Sequence, residues 1–206
     1  MFDEQSWDER YRSHAAVWSG QPNTQLVAEI MDLTPGAALD VGSGEGADAI
    51  WLASRGWQVT AVDFSTTALQ RGEAQAKALG AAVAERINWV HADLTTWEPK
   101  GHFDLVSAQF MHLPATPRQA LFVRLATAVA PGGTLLIVGH HLSDLQTTIP
   151  RPPMPDLYFT AEEIADFLDP DRWDVLVADT RPRPASDPEG QETTIHDAVL
   201  RARKRP

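Results

Sequence analysis

The chain has 206 residues, enough for one α/β domain with a full core. Its 17 Lys and Arg stand against 28 Asp and Glu, and the resulting formal charge of −11 weighs against nucleic acid and anionic membranes as partners. The absence of cysteine excludes disulfides, thiolate metal sites and cysteine nucleophiles, and suits a cytoplasmic location.

In chain order, residues 1–35 hold an expected helix over Asp3–Tyr11, a loop, and a second helix after Pro22. The opening Phe2-Asp3-Glu4-Gln5-Ser6-Trp7 is acidic and lacks an apolar signal core. No apolar run reaches the roughly 18 residues that span a bilayer. Strands and helices then alternate. Ala37–Val41 reads as a strand, Gly46–Arg55 as a helix and Gln58–Asp63 as a strand. Ser65–Leu79 reads as a helix with Ser65 as N-cap and Gly80 past its end. Ile87–His91 and Phe103–Ala108 are further strands. Arg118–Val129 carries a helical apolar stripe at Leu121, Phe122, Leu125 and Val129. Thr134–Gly139 is a continuous apolar run of the kind found in buried parallel strands.

The pattern changes after residue 140. Pro150, Pro152, Pro153 and Pro155 argue against regular structure over 148–158. Thr160-Ala-Glu-Glu163 is a capping box opening a short helix. Trp173–Thr180 and Thr193–Arg203 read as an antiparallel hairpin joined by a segment rich in turn residues (Pro182, Pro184, Asp187, Pro188, Gly190). The basic tail Arg201, Arg203, Lys204, Arg205 reads as the solvated end of the last strand. The expectation is one α/β domain over 1–206: a doubly wound, mostly parallel, seven-stranded sheet closed by a C-terminal antiparallel hairpin. Residues 36–140 form the binding core, preceded by the segment 1–35 and followed by 141–206, a lid segment and the hairpin.

In such sheets ligands sit outside the carboxyl ends of the strands, so those ends carry the functional reading. Asp40-Val41-Gly42-Ser43-Gly44-Glu45-Gly46 is a strand end, a glycine turn and a helix start. Glycines permit a sharp turn and close approach of a ligand. The loop fits a dinucleotide, since Gly42-x-Gly44-x-x-Ala47 matches a relaxed fingerprint, and it fits S-adenosylmethionine. Asp40 favours the second, because a carboxylate there suits an ammonium and repels a pyrophosphate. Asp63 is placed to accept from ribose hydroxyls, with Phe64 beside a purine. Asp93 can accept from an adenine amine and the Leu94 N–H can donate to the ring. Gln109 would face the ligand across from the glycine loop.

These motifs in sequence, with Pro131-Gly132-Gly133 before the fifth strand, resemble the class I S-adenosylmethionine-dependent methyltransferases from Ala37 to His140. The resemblance implies a Rossmann-like methyltransferase fold, S-adenosylmethionine as cofactor and S-adenosylhomocysteine as product. It implies cofactor-binding roles for Asp40, Gly42, Ser43, Gly44, Gly46, Asp63, Phe64, Asp93, Leu94 and Gln109. Ser6–Tyr11 and Val17–Asn23 resemble the small tellurite-resistance and thiopurine branch, whose N-terminal segment folds over the cofactor; this implies that Tyr11 and Trp18 cover it. That branch offers a catalytic histidine near the final hairpin turn, and residues 180–190 here contain none.

Base candidates therefore stand at the ends of the fourth and fifth strands: His112, His140 and His141. Asp144 beside the histidine pair raises a metal site, but successive strand residues point to opposite faces and chelate poorly, so none is assigned. Arg151, Arg181 and Arg183 are placed at the mouth of the acceptor site. The sequence reading is methyl transfer to a small molecule, with an oxygen nucleophile assisted by a strand-end histidine, in a monomer or homodimer. Sulfur or tellurium acceptors are the alternative, and an adenosyl-binding module or an NAD-linked oxidoreductase are alternatives of another class.

Overall fold

The computed structural model describes residues 4–14 and 16–206. Seven strands form one sheet: β1 (Ala37–Val41), β2 (Gln58–Asp63), β3 (Ile87–His91), β4 (Phe103–Gln109), β5 (Val129–His140), β6 (Trp173–Ser186) and β7 (Glu192–Lys204). Their order is β3-β2-β1-β4-β5-β7-β6. The first five run parallel, and β7 inserts antiparallel between β5 and β6. Chain order reverses between β1 and β4, which puts the switch point of the sheet beside the glycine turn.

The helices are α1 (Glu4–Ser13), α2 (Thr24–Ile30), α3 (Ala47–Ser54), α4 (Thr66–Leu79), α5 (Ala81–Ala84), α6 (Ala115–Ala128) and α7 (Ala161–Ala165). Asp3, the expected first residue of the N-terminal helix, lies outside the described residues. Two apolar clusters cover the two sheet faces. Alternation along β1 sends Leu39 and Val41 to the α6 and α7 side, with Leu121, Phe122 and Ile164. Ala38 goes to the other side, with Leu26, Leu52 and Trp57. Asp40, next in the alternation, shares the face of Ala38 and meets the start of α3.

Local chemistry fixes the helix ends. The Ser65 hydroxyl accepts from the Ala68 N–H at the start of α4. At α7 the capping box is complete: Thr160 Oγ1 accepts from the Glu163 N–H, and the Glu163 carboxylate accepts from the Thr160 N–H. Glycines on α4 and before α3 admit a tryptophan. A Cβ on Gly72 would stand 2.6 Å from Trp89, and one on Gly46 only 2.3 Å. Gly46 also has φ 79°, so its lack of a side chain is required twice.

The closing hairpin differs from the expectation. Its strands run on to Ser186 and from Glu192, so Pro182 and Pro184 lie inside β6, opposite His196 and Thr194. β6 is the sheet edge, where a missing N–H breaks no ladder on the open side. Arg181 and Arg183 are therefore strand residues. The fifth strand also starts earlier than the apolar run suggested, at Val129, and extends through Pro131-Gly132-Gly133. The proline segment is not wholly irregular, since a 3-10 turn spans Pro155–Leu157.

Candidate functional site

The glycine turn is held from below. The Gly42 and Ser43 N–H groups donate to the Val62 carbonyl at 2.8 and 3.1 Å. Asp63 Oδ2 accepts from the Gly44 N–H and Oδ1 from the Ser65 N–H, both at 2.8 Å. Positive φ at Gly42 and Gly44 exposes the turn to what lies above it. A Cβ at Gly42 would stand 2.7 Å from Met111 Sδ, and one at Gly44 3.0 Å from the Tyr11 hydroxyl.

Asp40 is buried at the end of β1 and accepts from the Ala49 N–H. Its Oδ2 has no hydrogen-bond partner, and neither do Ser43 Oγ and Gln109 Oε1. Gln109 spends its Nε2 on Ser107 Oγ at 2.8 Å, and Ser107 lies beside Asp40 in the sheet. Burial, then the neighbouring carboxylates Asp48 and Asp63, push the Asp40 pKa well above the ordinary carboxylate range. Burial likewise raises Asp48 to about 6 and moves Asp63 upward. Three buried oxygens without donors, two of them on adjacent strand ends, fit a ligand that brings an ammonium and hydroxyl groups. They do not suit a pyrophosphate.

The N-terminal segment is fastened over this turn by Glu45. Its Oε2 accepts from the Val17 and Trp18 N–H groups at 3.1 and 3.2 Å, and Oε1 pairs with Arg71 at 2.9 Å. Trp18 Nε1 donates to the Tyr11 hydroxyl at 3.0 Å. The other end of the segment is tied through Asp8, which accepts from Ser65 Oγ at 2.7 Å. Glu45→Ala is expected to release residues 16–18. Tryptophan fluorescence should then redden, and affinity for S-adenosylmethionine in a titration should fall about tenfold, the scale of one lost charge-assisted contact set. Unchanged fluorescence and affinity would mean that the segment is held elsewhere.

Beyond the end of β3, Asp93 turns Oδ1 onto the Thr95 N–H and hydroxyl at 2.8 and 2.7 Å. Leu94 is buried beneath Met111 and Gly42. Phe64 is half-buried at the end of β2, its carbonyl bonded to His91 Nε2 at 2.8 Å. Asp63, Phe64, Asp93 and Leu94 thus stand at adjacent strand ends.

The ends of β4 and β5 carry an aromatic cluster. The His112 and His140 rings lie 5.7 Å apart. Phe110 packs on His140 at 4.5 Å, Tyr158 at 6.4 Å, and Trp7 on His112 at 5.7 Å. Phe110 has φ 52°, uncommon for a bulky residue; its N–H is fixed to the Val138 carbonyl at 2.7 Å. Burial, followed by Arg151 and Arg10, lowers the His112 pKa to about 4. Burial, with Arg151 next, lowers that of His140 to about 2. Both imidazoles are neutral at physiological pH.

His141 parts from them. Its Nδ1 lies 2.9 Å from Ser143 Oγ and caps the 3-10 turn Leu142–Gln146, with its ring toward His196. His140 and Asp144 approach to 3.9 Å while His141 faces away, so the three do not converge. Trp7 and Phe110 were not singled out from the sequence. Phe110 carries no local signal beyond its place after a strand, because its strain comes from the sheet. A separate groove of about 540 Å³ beside α6 and α7 is bordered by Arg118. That arginine spends its donors on the carbonyls of Leu113, Asp156 and Tyr158, a structural use.

Fold and strand-end geometry define a nucleotide-type α/β domain, and known proteins share parts of it. Residues 38–133 match the family model described as a methyltransferase domain. An uncharacterised methyltransferase of Mycobacterium tuberculosis (strain ATCC 25618 / H37Rv) is 41% identical over 115 residues, 55% of each chain. A probable thiol methyltransferase of Arabidopsis thaliana is 28% identical over 135 residues, 63% of this chain and 59% of that one. The chain thus spans little more than half the length of these curated relatives. Among solved structures, TehB from Haemophilus influenzae superposes with TM-score 0.72 at 19% identity, covering 98% of this chain and 68% of that one. The N-methyltransferase NodS from Bradyrhizobium japonicum gives TM-score 0.66 at 15% identity over 100% of both chains. Residues 38–133 are thus similar to methyltransferase domains, and the solved structures share the fold.

Proposed function

We propose that the protein transfers the methyl group of S-adenosylmethionine to a small acceptor through an oxygen nucleophile held by His112 and His140. The observation that carries this reading is the set of buried, donor-less oxygens on Asp40, Ser43 and Gln109 beside the glycine turn. Asp40 would hold the ammonium, Asp63 and Phe64 the adenosine, Asp93 and Leu94 the base, with Tyr11 and Trp18 as cover. When bound, the cofactor supplies an electrophilic methyl on a sulfonium. The protein's part is to orient the acceptor and exclude water, and positioning alone can supply much of the rate.

The histidines set the proton chemistry. Neutral imidazoles with pKa values of about 4 and about 2 accept a hydrogen bond but hold a proton weakly near pH 7. The nucleophile must therefore be acidic enough to ionise on its own, as a phenol-like hydroxyl beside Arg151 would. A sulfur acceptor is the second reading, favoured by the relatives named as thiol methyltransferases. Thiols also ionise without a strong base.

The test combines binding and turnover. Calorimetric titration should show micromolar binding of S-adenosylmethionine and S-adenosylhomocysteine and none of NAD. With phenols and thiols of graded acidity, the rising limb of kcat/KM against pH should move with the acceptor's own pKa. A limb fixed near pH 6.5 for every acceptor would assign a histidine base instead. Binding without turnover of any acceptor would leave an adenosyl-binding module.

A further inference from the structure

The proline segment places one arginine in the aromatic cluster without giving it a satisfactory partner. Arg151 lies between Pro150 and Pro152, so its backbone has little freedom to move the guanidinium away. Its nearest carboxylate oxygen, Asp144 Oδ2, is 3.7 Å from its terminal nitrogen, beyond hydrogen-bond distance. Arg151 Nε and Asp144 Oδ2 are both buried without a hydrogen-bond partner. Asp144 Oδ1 is occupied elsewhere, accepting from the His196 N–H at 2.8 Å.

A second guanidinium approaches the same place. Arg183 lies 5.8 Å from the centre of the Phe110 ring, which packs on His140. Its Nε donates to both oxygens of Asp197 at 3.0 and 2.9 Å. Arg151 and Arg183 are near enough that each cation disfavours its neighbours: both act against a charge on His140, and Arg183 acts against that on Arg151. Arg151 and Arg183, with Arg10 5.1 Å from the Trp7 ring, and two neutral imidazoles are thus collected among the rings Trp7, Phe110, His112, His140 and Tyr158.

We propose that Arg151, supported by Arg183, is a carboxylate-binding subsite of the acceptor pocket, and that the acceptor is a flat aromatic acid. The proposal rests on the methyltransferase reading for the role of the pocket, and it concerns binding alone. A guanidinium presents parallel N–H groups that match the two oxygens of a carboxylate. The rings supply faces for an aromatic body, and neutral histidines leave the arginines as the cations that select the anion. A rigid proline flank preorganises the contact, so little ordering is lost on binding. Were Arg151 only a structural partner of Asp144, the pair would have closed to hydrogen-bond distance.

The experiment uses the full chain and two isosteric probes, benzoate and benzamide, followed by tryptophan fluorescence with and without S-adenosylhomocysteine. Benzoate should bind at least about tenfold more tightly than benzamide, the discrimination expected of a charged, hydrogen-bonded pair. Arg151→Gln should abolish the preference. Arg151→Lys should keep part of it, since it retains the charge without the fork. Arg205→Gln, at the exposed end of the chain beside Asp174, should leave it intact. Equal binding of the two probes by the parent protein, or a preference that survives Arg151→Gln, overturns the proposal. If Arg151→Gln fails to fold, the parent's benzoate-to-benzamide ratio and the Arg151→Lys result still decide. S-adenosylhomocysteine binding without a benzoate preference would sink this subsite alone. A benzoate preference without S-adenosylhomocysteine binding would sink the methyltransferase reading instead.

Discussion

Asp40→Asn is expected to weaken S-adenosylmethionine binding at least about a hundredfold, roughly 3 kcal/mol, while raising the melting temperature of the ligand-free protein. The two effects share one cause. Asp40 is buried with one N–H donor, from Ala49, and two carboxylates for neighbours. An ionised group so placed is destabilised until a cation arrives, and removing one partner of a buried charge pair commonly costs 3–5 kcal/mol. Asparagine keeps the shape and loses the charge, so the ligand-free fold is relieved and the ammonium loses its counter-ion. Stability of the ligand-free parent should depend on pH with a definite sign. Asp40, Asp48 and Asp63 all have raised pKa values, Asp48 to about 6. Each prefers its proton in the fold, so its contribution is fully present below the ordinary carboxylate pKa and is lost as pH rises through the folded value. Scanning calorimetry between pH 5 and pH 8 should show the melting temperature falling with pH, less steeply in Asp40→Asn. Affinity for S-adenosylmethionine should rise over the same interval in the parent, because binding favours the ionised carboxylate. An Asp40→Asn protein that binds S-adenosylmethionine as tightly as the parent would refute the assignment of this carboxylate.

Much of the glycine turn and its neighbouring strand ends was legible because its signals are local. A strand end, an acidic residue and three glycines follow one another within 40–46, and Asp63 and Asp93 each close a readable strand. The residues that hold those parts together were not legible, since their partners are distant in sequence. Glu45 reads as an ordinary variable position of the glycine loop, yet it fastens Val17 and Trp18, 28 and 27 residues away. Gly72 on α4 is explained by Trp89 on β3. The aromatic cluster was half legible. Strand alternation correctly warned that His140 and His141 point apart, but it could not show that His112 and His140 share a cluster. That depends on Phe110 turning through positive φ at the end of β4. The hairpin was misjudged in length for a comparable reason: prolines read as turn residues until the sheet order shows that they occupy an edge.

Such long-range dependence gives the second large expected effect: Asp197→Ala should destabilise the fold by about 3 kcal/mol. Asp197 is buried on β7 directly beside His140 in the register. It accepts from Arg183 and from Gln25 Nε2 at 3.2 Å. Gln25 in turn accepts from Arg181 at 3.1 Å, Arg181 pairs with Glu29, and Arg201 bridges Glu29 and Asp32 at 3.8 and 3.2 Å. This network stitches α2 to the hairpin around the buried carboxylates Glu29 and Asp197, with Asp32 at its exposed end. Removing Asp197 leaves Arg183 beside Arg151 with no counter-ion and leaves a buried Gln25 donor unpaired. Arg183 is one-third exposed, so part of its cost is relieved by solvent, which holds the estimate at the lower end of the range. For a chain of this size the loss corresponds to a melting temperature lower by about 6–12 °C. A double mutant separates the charge from the packing. Adding Arg183→Met to Asp197→Ala removes the stranded cation and should recover more than half of the loss, since apolar replacement of a buried pair is often neutral. Denaturant titration of the four proteins completes the cycle. A single Asp197→Ala loss under about 1 kcal/mol, or no recovery in the double mutant, would show that the network is held together by backbone pairing and not by its charges.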